Sequence, residues 1–290
     1  MKIIITGGTG FIGSGLAEKL LDDNHELLLI TRNNNKNSNI ANFADKIKIT
    51  YCDVTNEKKM TEIILDSAPD AIFHFAGSFS NEYTKDYATN VLATKNLLNV
   101  VKSLNKECRI LLVGSAAEYG DVEESHNPVQ EIHPLNPISV YGLTKVFQTY
   151  LMNYYSNTYS MNILMARPFN IYGKNISEKL FVGKIYQQIK LLKENKIEKI
   201  IIGNLESERD YITLEDTLNH YIRIIKYGDR GQIYNVGNGF PVKTKVVLDQ
   251  ILEEENIDKG LVESRISENN QKPDINSIYA DITKLKGLNS

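Results

Sequence analysis

The stretch Lys2-Ile3-Ile4-Ile5-Thr6-Gly7-Gly8-Thr9-Gly10-Phe11-Ile12-Gly13 sets the fold. A β-branched run of strand length meets glycines at Gly7, Gly10 and Gly13, and apolar residues at helical intervals continue over 11–21. In a strand-turn-helix unit, Gly7 permits the tight turn, Gly10 lets the backbone approach a pyrophosphate, and Gly13 lets the helix pack closely on the strand. Phe11 and Ile12 then open a helix whose N-terminus faces the phosphates. A flexible glycine-rich loop would carry the same letters; the strand before it and the helix after it favour a dinucleotide site.

Outward from this unit, strand-length runs at 2–6, 26–30, 47–51, 71–75, 109–114 and 162–167 alternate with amphipathic stretches at 11–21, 58–67, 87–104 and 141–157. That alternation predicts βαβ units and an α/β doubly wound parallel sheet over 1–173. Past Gly173 the pattern loosens into a helix at 178–195, a strand at 200–202 and a helix at 214–227. This predicts a smaller substrate-binding lobe over 174–290, with some segments returning to the main sheet. Residues 33–39 read as an exposed loop and 121–136 as a second loop, carrying Pro128 and Pro134.

The 290 residues are 42% hydrophobic, enough to bury a sizeable core, and 33 basic against 36 acidic residues leave a formal charge of -3. With no block of one sign, neither nucleic acid nor an acidic membrane surface is an expected partner. No apolar stretch nears the roughly 20 residues of a bilayer span. The start also lacks a signal-peptide pattern, so a cytoplasmic location is expected. Cys52 and Cys108 stand apart, and His25, His74, His126, His133 and His220 show no ligand spacing. Neither a disulfide nor a metal site is expected.

The second strand run ends in Ile30-Thr31-Arg32-Asn33, with no carboxylate to bind ribose hydroxyls. Arg32 stands where a 2′-phosphate would pair with it, which favours NADP(H) and leaves NAD(H) open. Asp53, at the end of the third strand, is placed either to hydrogen-bond adenine or to cap a helix. Tyr141-Gly142-Leu143-Thr144-Lys145 opens a predicted helix, so Tyr141 and Lys145 lie one turn apart on one face. A free phenol titrates at about 10, and a neighbouring ammonium group stabilises phenolate, bringing Tyr141 into range for exchanging a proton with a substrate hydroxyl or carbonyl. Ser115 follows the fifth strand, at the sheet edge where ligands bind. Its hydroxyl either holds the reacting oxygen or caps the local turn.

Taken in order, TGGTGFIG at 6–13, His74-Phe75-Ala76-Gly77, Asn90, Ser115, YGLTK at 141–145, Arg167-Pro168-Phe169-Asn170-Ile171-Tyr172-Gly173, Arg209-Asp210-Tyr211 and Asn235-Val236-Gly237-Asn238-Gly239 span nearly the whole chain. In this ordered set the chain resembles the extended short-chain dehydrogenase/reductase family, in its branch of nucleotide-sugar epimerases, dehydratases and 4-keto reductases. The resemblance implies a Rossmann sheet, a nicotinamide cofactor and a nucleotide-diphosphate sugar as substrate. It also implies a homodimer built from the helices at 87–104 and 141–157. Ser115, Tyr141 and Lys145 would be catalytic, with Tyr141 and Lys145 also touching the cofactor. By the same resemblance Val54, Phe75, Ala76, Gly77, Asn90 and Pro168 line the cofactor, and Ser115, Ala116 and Tyr141 face the sugar. Asn170 and Arg209 would bind the diphosphate, a task that suits a guanidinium because it donates two parallel hydrogen bonds.

Dehydratases of this family carry an acidic pair directly after the serine or threonine. Here Ala116 and Ala117 occupy those positions and leave no carboxyl group to expel a hydroxyl. Glu118 comes one residue later and, on an extended segment, would face the opposite way. The 3,5-epimerising reductases use a Cys at the position of Ala117 and a His after the conserved glycine, where this chain has Lys174-Asn175. Hydride transfer at one carbon remains. The segments at 114–120 and 167–170, with Lys272-Pro273-Asp274, are most similar to GDP-4-keto-6-deoxymannose reductases. The expected reaction is therefore NADP(H)-dependent reduction of a 4-keto, 6-deoxy nucleotide sugar, with a 4-epimerase or 4-dehydrogenase retaining NAD(H) as the alternative. A non-catalytic cofactor sensor is a further alternative, and the retained Ser115, Tyr141 and Lys145 argue against it.

Overall fold

Seven parallel strands form the central sheet of the computed structural model, which describes residues 1–32, 38–264 and 277–288. Lys272-Pro273-Asp274 and positions 33–37 of the expected loop lie outside the described residues. The strands are β1 (Lys2–Thr6), β2 (Glu26–Thr31), β3 (Lys48–Tyr51), β4 (Ala71–His74), β5 (Arg109–Val113), β6 (Ile163–Pro168) and β7 (Ile233–Val236). Their spatial order is β7-β6-β5-β4-β1-β2-β3, so the winding reverses between β1 and β4. A crevice at such a reversal, outside the carboxyl ends of the strands, is where doubly wound sheets bind ligand.

Successive side chains of a strand point to opposite faces, and each strand here except the edge strand β3 is apolar on both. Ile3, Ile5, Leu29 and Leu111 enter one layer, covered by α1 (Phe11–Leu20) and α7 (Leu214–Tyr227). Ile4, Ile30, Ile110 and Leu112 enter the other, covered by α2 (Glu57–Ser67), α4 (Ala93–Lys102) and α5 (Val140–Tyr159). α6 (Phe181–Lys193), the short strand Ile200–Ile202 and α8 (Thr244–Glu254) close a third apolar cluster around Ile185, Ile189, Leu248 and Ile251. Residues beyond 173 therefore serve two places. α6 and α8 build this separate cluster, whereas α7 lies on the main sheet and β7 extends it beside β6. Among the described residues no helix is long and apolar enough to cross a membrane.

The expected helix at 87–104 differs in its opening. The chain is already helical in α3 (Tyr83–Tyr87), widens into a π-turn at Ala88–Leu92, and only then enters α4. Two buried polar residues account for this. Asp86 accepts from the Ser78 and Ser80 hydroxyls and from the backbone N–H groups of Ser80 and Asn81, so it holds the start of α3 against the preceding loop. Asn90, inside the wide turn, bonds both backbone groups of Ser78 and the Thr144 hydroxyl.

At the reversal point the ends of β1 and β4 are tied together. Thr6 Oγ1 lies 2.8 Å from His74 Nδ1 and accepts from Ala76 N at 3.1 Å, while His74 Nε2 lies 3.2 Å from Thr94 Oγ1 on α4. Burial, with Lys145 adding repulsion, lowers the His74 pKa to about 3. An unfolded imidazole protonates below about 6.5, so the unfolded chain binds one proton more than the native chain between that pH and about 3. Stability should accordingly fall as the pH drops through this window, by about 1.4 kcal/mol per unit from this residue. Urea unfolding at pH 7, 6 and 5 checks this: His74→Gln should unfold with a pH slope shallower by about one proton, and an unchanged slope would remove His74 from the account.

Candidate active site

The turn after β1 brings its glycines against the end of β4. Gly7 adopts φ +67°, and a Cβ there would lie 2.9 Å from Ala76 N; a Cβ on Gly13 would collide with the Gly7 carbonyl oxygen. Both positions thus need a residue without a side chain, and α1 can start directly above the turn. Its N-cap, Gly10, offers no side-chain hydrogen bond to the first helical turn. The backbone N–H groups there, aligned with the positive end of the helix, form a cradle that fits an anionic pyrophosphate.

Arg32 lies exposed past the end of β2, next to Asp53 past the end of β3. Burial opposes charge on Asp53, yet hydrogen bonds from Thr55 N at 2.9 Å and Thr55 Oγ1 at 2.7 Å, with the field of Arg32, hold its carboxyl below the usual range. Asp53 does not cap α2: Asn56 does, accepting from Lys59 N at 3.1 Å. Val54 is buried against the apolar layer beneath α2.

The chemical end of the crevice is built where β5 meets α5. Ser115, just past β5, accepts from Ala117 N at 3.2 Å and caps the short turn Ala116–Glu118. Its hydroxyl lies near the Tyr141 phenol and acts to lower its pKa. Of the two roles weighed for Ser115, the cap is the one the structure shows. Ser139 caps α5 by accepting from Gly142 N at 3.0 Å, which sets Tyr141 in the first turn with its ring edge-on to Phe79 at 4.8 Å. One turn on, Lys145 is buried, and its Nζ lies 5.7 Å from the Tyr141 ring centre. The ammonium donates to Val113 O at 2.8 Å and to Gln148 Oε1 at 3.1 Å. Gly77 sits opposite, between Asn90 Oδ1 and Lys145 Nζ, and Phe75 stacks on Tyr221 of α7 at 5.6 Å.

Protonation here departs from the expected lowering of the phenol. Burial pushes Tyr141 up to about 12; the Ser115 hydroxyl works against this, and the negative charges of Glu118 and Asp86 add to it. Lys145 is the group brought toward neutrality. Burial takes it down to about 8, with Glu118 opposing.

Glu118 itself is turned inward. On the 3-10 turn it accepts from Ser115 N at 2.8 Å, Thr149 Oγ1 at 2.6 Å and Arg167 Nη2 at 2.9 Å, fully buried. Arg167 continues to Tyr119 and Tyr119 to Asn235 on β7. Neither this cluster nor the one joining Gln148, Thr94 and His74 was singled out from sequence. Their one sequence signal is a polar residue where the helical or strand period calls for an apolar one.

At the far end, Pro168 closes β6, buried beside Val236, and the following short strand Asn170–Tyr172 pairs in parallel with Tyr211–Thr213. This places exposed Asn170 next to the Arg209-Asp210-Tyr211 segment, its Nδ2 donating to Asp210 O at 3.2 Å. Asp210 is spent on structure, for its buried carboxylate accepts from Asn238 N, Gly239 N and Ala280 N. Arg209 is half-buried and donates to Glu208 O. Among the described residues no group of three or more His, Cys, Asp or Glu gathers as metal ligands would.

A family model described as GDP-mannose 4,6 dehydratase matches residues 4–288. The chain belongs to this family. It is similar to the UDP-glucose 4-epimerase of Mycoplasma genitalium, 28% identical over 86% of this chain and 79% of the relative. The GDP-6-deoxy-D-mannose reductase of Pseudomonas aeruginosa is also 28% identical, over 67% of this chain and 66% of the relative. Among solved structures, RMD from Pseudomonas aeruginosa complexed with NADPH shares the fold with a TM-score of 0.83 at 20% identity, covering 99% of this chain and 91% of that one. As a member of this family the chain is a nicotinamide-dependent enzyme of the extended short-chain dehydrogenase/reductase type.

Gly142 is the joint of this family member's site. A Cβ there would collide with the Ala117 carbonyl oxygen and lie 3.1 Å from Pro137 Cβ, between the turn carrying Ser115 and the helix carrying Tyr141. Gly142→Ala should wedge the two apart, lowering stability by about 1–3 kcal/mol and kcat by about tenfold or more. Urea midpoints and turnover measured on the same preparation check both effects, and unchanged turnover would show that the joint tolerates the methyl group.

Proposed function

We propose that the chain reduces the 4-keto group of a nucleotide-diphosphate sugar, most similar to a 4-keto-6-deoxy sugar, using NADP(H), with Tyr141 as proton donor. The observation that carries this reading is the pair Ala116 and Ala117 after Ser115, together with the commitment of Glu118 to Arg167 and Thr149. No carboxyl group is left there to expel a hydroxyl, so one hydride and one proton at a single carbon are what this site can deliver.

The bound dinucleotide supplies the hydride. Ser115 holds the sugar oxygen beside the phenol, and Tyr141, with its pKa raised to about 12, is protonated at neutral pH and ready to donate. Lys145 holds the nicotinamide ribose and supports the phenolate left behind. Gly7, Gly10, Phe11, Ile12 and Gly13 hold the pyrophosphate, Asp53 and Val54 border the adenine, Phe75, Ala76, Gly77, Asn90 and Pro168 line the remainder, and Asn170 and Arg209 take the sugar's diphosphate. Residues 174–290 supply most of the sugar-nucleotide contacts. The chain works as a cytoplasmic homodimer through the helical segments at 87–104 and 141–157, where Leu92, Tyr150 and Tyr154 stand exposed.

A second reading, a 4-epimerase with retained NAD(H), is favoured by the UDP-glucose 4-epimerase relative at the same 28% identity. Absorbance at 340 nm separates the two: a reductase consumes NADPH in proportion to a 4-keto-6-deoxy nucleotide sugar, whereas an epimerase interconverts UDP-glucose and UDP-galactose with no net consumption. Conversion of GDP-mannose or a TDP-glucose to its 4-keto-6-deoxy product would overturn the argument from Ala116 and Ala117.

Tyr141→Phe should lower kcat by about 10²- to 10⁴-fold with little change in dinucleotide affinity. Because Lys145 titrates at about 8 and Tyr141 at about 12, reduction should decline above pH 8 through Lys145, and residual activity of Tyr141→Phe should keep that decline. Unchanged kcat in this variant, with a substrate shown to turn over, would refute the assignment.

Arg32, past β2 with no acidic residue at that strand end, should give NADPH tighter binding than NADH, and Arg32→Ala should narrow the gap. Calorimetric titration of both dinucleotides checks this, and equal affinities in the unmutated protein would end the argument.

A further inference from the structure

Resting on the reading that Lys145 holds the nicotinamide ribose, we propose that Gln148 is its positioning residue: a buried side-chain amide that fixes the ammonium and couples it to the cofactor-lining loop. A buried ammonium is unfavourable unless acceptors surround it. Lys145 finds two, Val113 O at 2.8 Å and Gln148 Oε1 at 3.1 Å, and its third hydrogen remains for the crevice between Tyr141 and Gly77.

The direction of the amide follows from hydrogen counting. Thr94 Oγ1 has one hydrogen, which it donates to Asn90 O at 2.8 Å. Toward its other neighbours it can only accept, so Gln148 must present Nε2 to it, at 2.9 Å, and turn Oε1 to Lys145. His74 must likewise carry its hydrogen on Nε2 and accept from the Thr6 hydroxyl on Nδ1, and Thr6 then accepts from Ala76 N. Each of these hydrogen bonds then has one direction open to it. Gln148, His74 and Thr94 are almost wholly buried, and the chain ends on the backbone of Asn90 and Ala76, both at the cofactor crevice. Because an amide does not pass protons on, the chain positions Lys145 and relays nothing.

Titratable groups facing Lys145 are Glu118 from the turn after β5, His74 from β4 and Tyr141 on its own helix; Asp86 from α3 acts on Tyr141. Two variants separate positioning from packing. Gln148→Met keeps the length and removes both polar atoms, and Gln148→Glu keeps an acceptor on Lys145 and adds charge. Dinucleotide affinity, followed by calorimetry from pH 6 to 9.5, is the readout, with kcat/KM beside it and thermal melting to establish folding. Gln148→Met should bind about tenfold more weakly at pH 7, with its alkaline loss of binding moved to lower pH. Gln148→Glu should restore affinity and move that loss upward by about one unit or more. If Lys145→Met loses affinity while both Gln148 variants bind as the unmutated protein does at every pH, the proposal is overturned. If Lys145→Met itself binds and turns over normally, the reading beneath it has failed instead. Should Gln148→Met not fold, the direction of the pH shift in Gln148→Glu decides alone.

Discussion

Glu118 and Arg167 are charged side chains buried without exposure, and the geometry of the site hangs on how their charges are met. The carboxylate accepts from the backbone after β5, from a hydroxyl on α5 and from the guanidinium on β6, so three elements that carry Ser115, Tyr141 and Pro168 share one acceptor. Taking either ion alone would leave an uncompensated buried charge, at a cost of about 3–5 kcal/mol. Gly114 is part of the same constraint, since a Cβ there would collide with Glu118 Oε1. The pair is weak support for stability as such, because desolvation offsets much of its attraction. What it provides is register: the turn carrying Ser115 and α5 cannot slide past each other without breaking its hydrogen bonds.

The same pair sets the electrostatic balance. Its negative end adds to the burial that raises Tyr141 and opposes the burial that lowers Lys145. Burial works on the two residues in opposite chemical senses, favouring neutral phenol and neutral amine. The outcome is a phenol that keeps its proton at neutral pH and an ammonium brought down to about 8. The spacing of Tyr141 and Lys145 alone suggested the reverse emphasis, an ammonium that lowers the phenol, because spacing says nothing about desolvation.

The sheet was legible because its signals are local. β1 spans the same residues as its apolar run, α7 fills 214–227 as its periodicity predicts, and the glycines at Gly7 and Gly13 meet the contacts that their spacing implies. What stayed hidden depends on partners distant in sequence. Glu118 points inward because the chain leaves β5 in a 3-10 turn instead of remaining extended, and the guanidinium that draws it in is 49 residues away. Gln148 is a polar residue where the period of α5 calls for an apolar one, and what it meets is visible only once Thr94, 54 residues earlier, is placed beside it. The early start of α3 was missed because Asp86 is held by a loop whose hydroxyls carry no helical signal.

The two ends of the crevice are made by different physics. At the end by β1 the crevice is lined by a backbone turn that needs glycines at Gly7 and Gly13, so its build was readable from the letters. At the Arg209 end, the acidic residue in Arg209-Asp210-Tyr211 is consumed in clasping the backbone of Asn238, Gly239 and Ala280, and a Cβ on Gly237 would collide with it. That clasp joins the strand carrying Arg209 to the segment after β7 and to the chain beyond 276, and backbone pairing sets Asn170 alongside. The placing of Asn170 and Arg209 therefore depends on segments brought together by one buried carboxylate, and on loops where pattern and period carry the least information.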